Sequence, residues 1–299
     1  MPTTPAERIA ALAYDYAAKA KERPVACNLC GVRRGAHTLA GRDRYGYAAT
    51  LVACRRCGLA CLSPRLTAAG YADFYAAVYR PLVSAYHGRR IDAETVQAEQ
   101  EDYAAALAAF LAPWLPFAPT TILDVGGSTG AVARVLAAQT GARATVLDPA
   151  PDELAVARAA GMETIGGLAE DFDAGRRRWD LVLLCQTIDH LLDVRGTLAA
   201  LRRMTADGGR AFVDILDADL MLERTGSIEC VVKIDHPYYL TRATAIAFFA
   251  LTGYAVVCER SCTDGHRGFV LAPAASAEPD WAGLEVSATE FARQGIANP

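Results

Sequence analysis

From residue 121 onward short apolar runs alternate with helical stretches, and no other feature of the chain narrows its fold so far. Segments 121–125, 144–148, 163–166, 181–185 and 210–215 read as strands, and 131–140, 152–161 and 193–206 carry helical spacing between them. Strands separated by helices form a parallel sheet with right-handed crossovers and helices on both faces, so the expected class is α/β. Beyond them, 241–252 reads as a helix, and 254–259 with 268–271 as a closing strand pair.

The first strand runs straight into a glycine-rich turn and then a helix, as Ile122-Leu123-Asp124-Val125-Gly126-Gly127-Ser128-Thr129-Gly130. Glycines let the chain turn sharply and let a ligand approach the backbone, and free amides at a helix start favour an anionic group. The spacing is not that of the dinucleotide fingerprint, and the Asp124 carboxylate stands where a pyrophosphate would be repelled, which disfavours NAD. Asp148 ends the next strand, where a carboxylate can accept both hydroxyls of a ribose; capping the helix that opens at 149–151 is its other reading, a job Asp152 could do equally well.

Ahead of this region, residues 6–22 form an Ala-rich helical stretch that stops near Pro24. Cys27-Asn28-Leu29-Cys30-Gly31 and Cys54-Arg55-Arg56-Cys57-Gly58 follow as two similar knuckles. Their spacing places four thiolates at the corners of a tetrahedron, with zinc the expected metal and iron in a rubredoxin-like site its rival. Four thiolates leave no open position, so the metal is expected to be structural. His37 and Cys61 lie near the quartet but read as a hairpin-surface residue and a packed one, and the remaining cysteines as buried thiols. Residues 67–112 return to helical spacing, closed by Pro113, Pro116 and Pro119. The expected units are therefore an N-terminal helix (1–24), a zinc ribbon (25–66), a helical connector (67–119), the α/β domain (120–275) and a polar tail (276–299) with one amphipathic piece around 281–294.

Residues 121–215 resemble the Rossmann-like class of S-adenosylmethionine (SAM)-dependent methyltransferases. Asp124, Val125, Gly126, Gly127 and Gly130 meet its acid–apolar–glycine pattern, with Ser128 in place of the middle glycine. The resemblance implies that Gly126–Gly130 pass under the methionine moiety and that Asp148, followed by Pro149, binds the ribose. It implies an adenine-side loop at Gly167, Leu168, Ala169 and Glu170, and a fourth strand leading to Cys185 and Gln186 beside the cofactor, with Asp189 and His190 next to them. The knuckles, the Tyr-rich connector and this domain together are similar to the sugar C-methyltransferases of deoxysugar pathways. Their His-Glu-His-x-x-Tyr motif is resembled by Asp235-His236-Pro237-Tyr238-Tyr239, with Asp for Glu and Ile234 for the first His, and their additional C-terminal domain has no counterpart here.

Methyl transfer needs the acceptor in line with the sulfonium and a base for its proton, and His titrates near neutrality. His236 is the candidate base, Tyr239 its orienter or an alternative base, and His190 a further candidate at the site. Tyr75, Tyr79, Tyr86, His87 and Arg89 belong to a segment that comparable enzymes place over the cofactor or substrate; Tyr75 and Tyr79 read first as an aromatic stripe packing a helix pair, and Arg89 as a group that can hold a carboxylate or phosphate. The expected acceptor is a small molecule, a (nucleotide) sugar or natural-product intermediate methylated on carbon or oxygen. A formal charge of −4, with basic residues only in short groups such as 176–178, argues against a nucleic-acid partner. The absence of a long apolar run or a secretory leader argues for a cytoplasmic protein without membrane contact. The competing readings are a zinc-ribbon binding or regulatory protein on a degenerate methyltransferase fold, and an NAD-dependent oxidoreductase.

Overall fold

The computed structural model describes residues 3–33, 35–91, 93–115, 117–169 and 171–297. Near the N-terminus β1 (Ala36–Arg42), β2 (Ala48–Cys54) and β3 (Ala60–Leu62) form an antiparallel sheet carrying the two cysteine knuckles at one end. Helices α2 (Ala68–Ala77), α3 (Tyr79–His87) and α4 (Ala93–Leu111) lead to the main sheet. That sheet consists of β4 (Thr121–Val125), β5 (Arg143–Asp148), β6 (Glu163–Gly166), β7 (Trp179–Leu184), β8 (Thr205–Leu216), β10 (Tyr254–Ser261) and β11 (His266–Pro273), in the order β10-β11-β8-β7-β4-β5-β6. The five strands from β6 to β8 are parallel, and β11 pairs antiparallel with both β8 and β10. The expected α/β class holds, with helices α5 (Ala131–Thr140), α6 (Pro151–Ala159), α7 (Val194–Met204) and α10 (Arg242–Leu251) linking the strands.

Strand periodicity sets the two cores. Leu181, Leu183 and Phe212 pack with Leu107 and Leu111 of α4 and Leu136 of α5, whereas Val182, Leu184 and Val213 point the other way to Leu198 and Leu201 of α7 and Phe248 and Phe249 of α10. Because β4 has β5 on one side and β7 on the other, the chain reverses its winding at β4. A crevice opens there at the carboxyl ends of the strands, the usual ligand position in such sheets.

The amphipathic piece expected in the tail is α11 (Trp281–Ala297), which buries Leu284 and Phe291; Arg56 of the second knuckle lies over the Trp281 ring. Two regions depart from the sequence expectation. The helix expected at 6–22 is only α1 (Pro5–Ala10), capped by Thr4 and Glu7. The chain breaks at Ala13, with φ +50°, so that Tyr14 and Tyr16 can pack on Tyr47, and Tyr14 also on Phe74. Aromatic burial outweighs the helix propensity of the alanines there. The ribbon, expected as a unit of its own, is completed by a strand from far along the chain. β9 (Tyr238–Tyr239) pairs with β3, Tyr238 opposite Cys61 and Tyr239 opposite Ala60, so one four-stranded sheet joins ribbon and catalytic domain. Among the described residues no helix is long and apolar enough to cross a membrane.

Candidate active site

The turn after β4 has a shape that only its own residues permit. Gly126 and Gly130 have φ of +67° and +74°, and a Cβ on Gly126 would lie 2.5 Å from Thr187 Cγ2. A Cβ on Gly127 would lie 2.6 Å from Asp124 Cγ, so bare backbone is needed on both sides of the turn. Ser128 takes φ +53° in place of glycine; its amide donates to Asp148 Oδ2 at 3.0 Å and its hydroxyl to Glu153. Asp148 Oδ1 accepts the Ala150 amide at 2.8 Å, so this carboxylate ties the glycine turn to the start of α6 while lying at the end of β5. This is a local turn ahead of the helix and not a cap: α6 starts from Ala150 without a side-chain cap from Asp148 or Asp152.

Asp124 is buried at 1% exposure, and its Oδ2 has no hydrogen-bond partner. Burial pushes its carboxyl up to about 7, against the Ala133 amide, which lowers it. A buried oxygen aimed at a bare glycine turn lacks a cation, and the α-ammonium of an amino-acid tail is such a group. The orphaned oxygen, the Cβ-free cradle and Asp148 one strand away therefore fit SAM. Pro149 and Leu168 are exposed, Ala169 is buried, and Glu170 lies outside the described residues. Cys185 and Gln186 sit at the end of β7 on the cleft wall.

The cleft above the turn has a volume of about 820 Å³ and is roofed by Tyr75 of α2, Tyr79, Arg80 and His87 of α3, and Tyr103 of α4. Residues of the connector thus line this cleft. Opposite the glycine turn stand Asp214, Arg260, Asp264 and His266. Asp214 is 2% exposed and accepts the Tyr103 hydroxyl at 2.8 Å and the Gln186 amide at 2.6 Å; burial raises its carboxyl. His266 Nδ1 lies 3.0 Å from Asp264 Oδ2. Sequence reasoning passed over this wall. The one available signal was Asp214, a carboxylate inside the apolar run Phe212-Val213-Asp214-Ile215-Leu216.

His236 is 5% exposed and lies behind the cleft wall, not on it. Its Nε2 is 3.4 Å from Asp235 Oδ2, and its ring meets that of His190 edge-on with centroids 4.7 Å apart. His190 Nδ1 lies 2.6 Å from the hydroxyl of Tyr75, which also reaches Asp235 O at 2.9 Å. Tyr75 lines the cleft, so His190 adjoins it through this phenol, with His236 packed behind His190. Burial lowers both imidazoles below the ordinary histidine range, His236 well below, with Lys233 adding to the effect on each. Asp235 Oδ1 is buried without a partner. Tyr239 is not a second base: its hydroxyl accepts the Lys233 amide at 2.6 Å and donates to Lys233 O at 2.7 Å, which leaves it holding the turn that carries His236. Asp189 accepts the Leu216 amide through Oδ2 at 2.9 Å, while its Oδ1 is buried without a partner.

The four knuckle cysteines come together, their sulfurs all within 4.8 Å of one another, with Cys27–Cys57 at 3.5 Å and Cys30–Cys54 at 3.6 Å. A tetrahedral zinc with Zn–S bonds of about 2.3 Å separates its sulfurs by about 3.8 Å, so the quartet fits that ion. In each knuckle the glycine amide turns back to the first cysteine, Gly31 to Cys27 O and Gly58 to Cys54 O, both at 2.9 Å. His37 and Cys61 are not part of the quartet.

A family model for a methyltransferase domain matches residues 96–259, more than half of the chain. The ubiquinone biosynthesis O-methyltransferase of Methylocella silvestris is 32% identical over 118 residues, which are 35% of this chain; the chain spans 43% of that relative. Among solved structures, a magnesium protoporphyrin IX methyltransferase from Synechocystis PCC 6803 with bound SAH superposes with a TM-score of 0.50 at 12% identity, covering 62% of this chain and 89% of that one. A protein of Pyrococcus horikoshii OT3 superposes with a TM-score of 0.51 at 17% identity, covering 58% and 91%. The glycine cradle, the strand order and the family match agree: this chain belongs to the methyltransferase domain family and has the class I fold of SAM-dependent methyltransferases.

Proposed function

We propose that the protein methylates a carbon or oxygen of a small-molecule acceptor, a (nucleotide) sugar or natural-product intermediate, with His236 as terminal proton acceptor. The observation that carries this reading is the buried chain Tyr75–His190–Asp235–His236 adjoining the glycine-turn cleft. Bound SAM supplies an electrophilic methyl on a sulfonium. Asp124 and the glycine turn hold its amino-acid end, Asp148 its ribose hydroxyls, and Leu168, Ala169 and Glu170 its adenine, with Cys185 and Gln186 beside the reacting face. The cleft volume suits an acceptor as well as the cofactor. The acceptor's carbon or oxygen takes the methyl from the sulfonium as its own proton passes to the Tyr75 oxygen, the Tyr75 proton to His190 Nδ1, and the proton on the far ring nitrogen of His190 to His236, which packs edge-on against it. The Asp235 carboxylate, 3.4 Å from His236 Nε2, favours the protonated ring and opposes the burial that lowers it. Zinc in the Cys27, Cys30, Cys54 and Cys57 quartet holds the ribbon, and with it β9, in place.

Mass-spectrometric screening of nucleotide sugars and pathway intermediates with labelled SAM identifies the acceptor. His236→Ala should lower its turnover by about 100-fold or more, in the range of general-base removal, while binding of S-adenosylhomocysteine (SAH) persists. Undiminished turnover in that variant removes His236 from the reaction.

A further inference from the structure

The segment that carries Asp235 and His236 is held by the tip of the ribbon hairpin. Asp43, between β1 and β2, is 3% exposed and uses its two oxygens on different parts of the molecule. Oδ1 accepts the amides of Tyr45 and Tyr47 at 3.0 and 2.8 Å and closes the hairpin turn. Oδ2 accepts the Ile234 amide at 3.2 Å, across 191 positions of sequence. Next to it the Arg44 amide donates to Val232 O at 2.9 Å and its guanidinium to Cys230 O at 3.0 Å. On the other side of His236, the Leu62 amide donates to Pro237 O at 3.0 Å where β9 meets β3.

A hairpin needs only one acceptor to close its turn, and a buried carboxylate is costly unless its second oxygen also works. We infer that Asp43 is a positioning residue for the Asp235–His236 pair, fixing through the Ile234 amide the backbone turn that sets His236 against Asp235 and His190. The ribbon thereby acts in catalysis as the template of the proton-accepting turn. This inference rests on the proposed role of His236, but its test does not require turnover.

Asp43→Asn separates the two jobs. Its amide oxygen can still accept from Tyr45 and Tyr47, while its NH2 group faces the Ile234 N–H, donor against donor. Asp43→Ser removes the second oxygen by different chemistry and keeps a turn-closing hydroxyl. Both are compared with wild type as SAH-loaded, metal-replete protein, by amide hydrogen exchange and by NMR of isotope-labelled histidines. The groups facing His236 are Lys233, Arg44, His190, His266 and Asp235. Loosening the turn admits water and moves the imidazole towards the ordinary histidine value of about 6.5.

In either variant that retains its metal, amide exchange at Ile234 should rise at least about tenfold. The His236 and His190 signals should titrate about one pH unit or more higher than in wild type. Metal content and SAH affinity should stay within about twofold, a split that general unfolding would not give. Unchanged exchange and unchanged histidine signals in both variants overturn the inference, as does a shift that appears only together with metal loss. Should His236→Ala leave methylation intact while Asp43→Asn shifts the histidines, the base assignment falls and the positioning stands.

Discussion

The two halves of the cleft are built in opposite ways. The cofactor half comes from consecutive βα units, with Asp124, the glycine turn and Asp148 all within 25 residues and each located by its own strand end. The proposed proton-accepting half, which adjoins the cleft through Tyr75, is assembled from α2, the segment after β7, the segment before β9 and the ribbon hairpin, and nothing local holds it together. The first half should therefore survive damage elsewhere in the molecule, and the second should not.

The severest way to break that contrast is to remove the metal. Binding of zinc by four thiolates is worth on the order of 10 kcal/mol of folding free energy in small modules, and the quartet packs in the same core as α7 and α10. Stripping the zinc proposed for the quartet by chelation, or replacing Cys54 by Ser, should lower the melting temperature sharply and release β9, abolishing methyl transfer. SAH binding, followed by calorimetry, should weaken far less than transfer. Equal loss of both would show that the cofactor half also leans on the ribbon.

The same contrast explains what the sequence revealed. The glycine turn, the alternation of strands with helices and the knuckles were legible because each is encoded in short stretches whose spacing has a local physical meaning. Pairing of Tyr238–Tyr239 with Ala60 and Cys61 leaves no such trace, since a two-residue strand has no periodicity of its own. The helix expected at 6–22 failed for a related reason: Tyr14 and Tyr16 answer to partners at 47 and 74, which local propensity does not sense. His236 was found by resemblance, yet its place behind Tyr75, and the wall of Tyr103, Asp214 and His266, depend on contacts among segments far apart in the chain.

A smaller effect, confined to the cofactor half, comes from Asp148→Ala. Hydrogen bonds to a charged group are worth about 1.5–3 kcal/mol, so losing the proposed ribose contacts, together with the tie from Asp148 to the Ser128 amide, should weaken SAH binding by about tenfold to a hundredfold. The labelled histidine signals of His190 and His236 should stay where they are. A shift there would mean that the halves are coupled through the glycine turn.

The mildest test uses pH. Asp124 is raised to about 7 by burial, from an ordinary aspartate value of about 3.9. In the ligand-free protein such a group favours folding most below the unfolded value, and that contribution is lost as pH rises towards 7; Asp189, also pushed up to about 7 by burial, acts in the same sense. Binding runs the other way, because an ammonium placed against Asp124 favours the carboxylate. SAH affinity should therefore increase as pH rises from 6 to 8, by about fivefold to tenfold, and level off above the folded value. Asp124→Asn has no proton to release and should flatten this profile while weakening binding throughout. Since no histidine takes part, His236→Ala should leave the slope intact; a slope that vanished in His236→Ala and persisted in Asp124→Asn would assign the titration to the wrong half of the cleft and dissolve the separation between them.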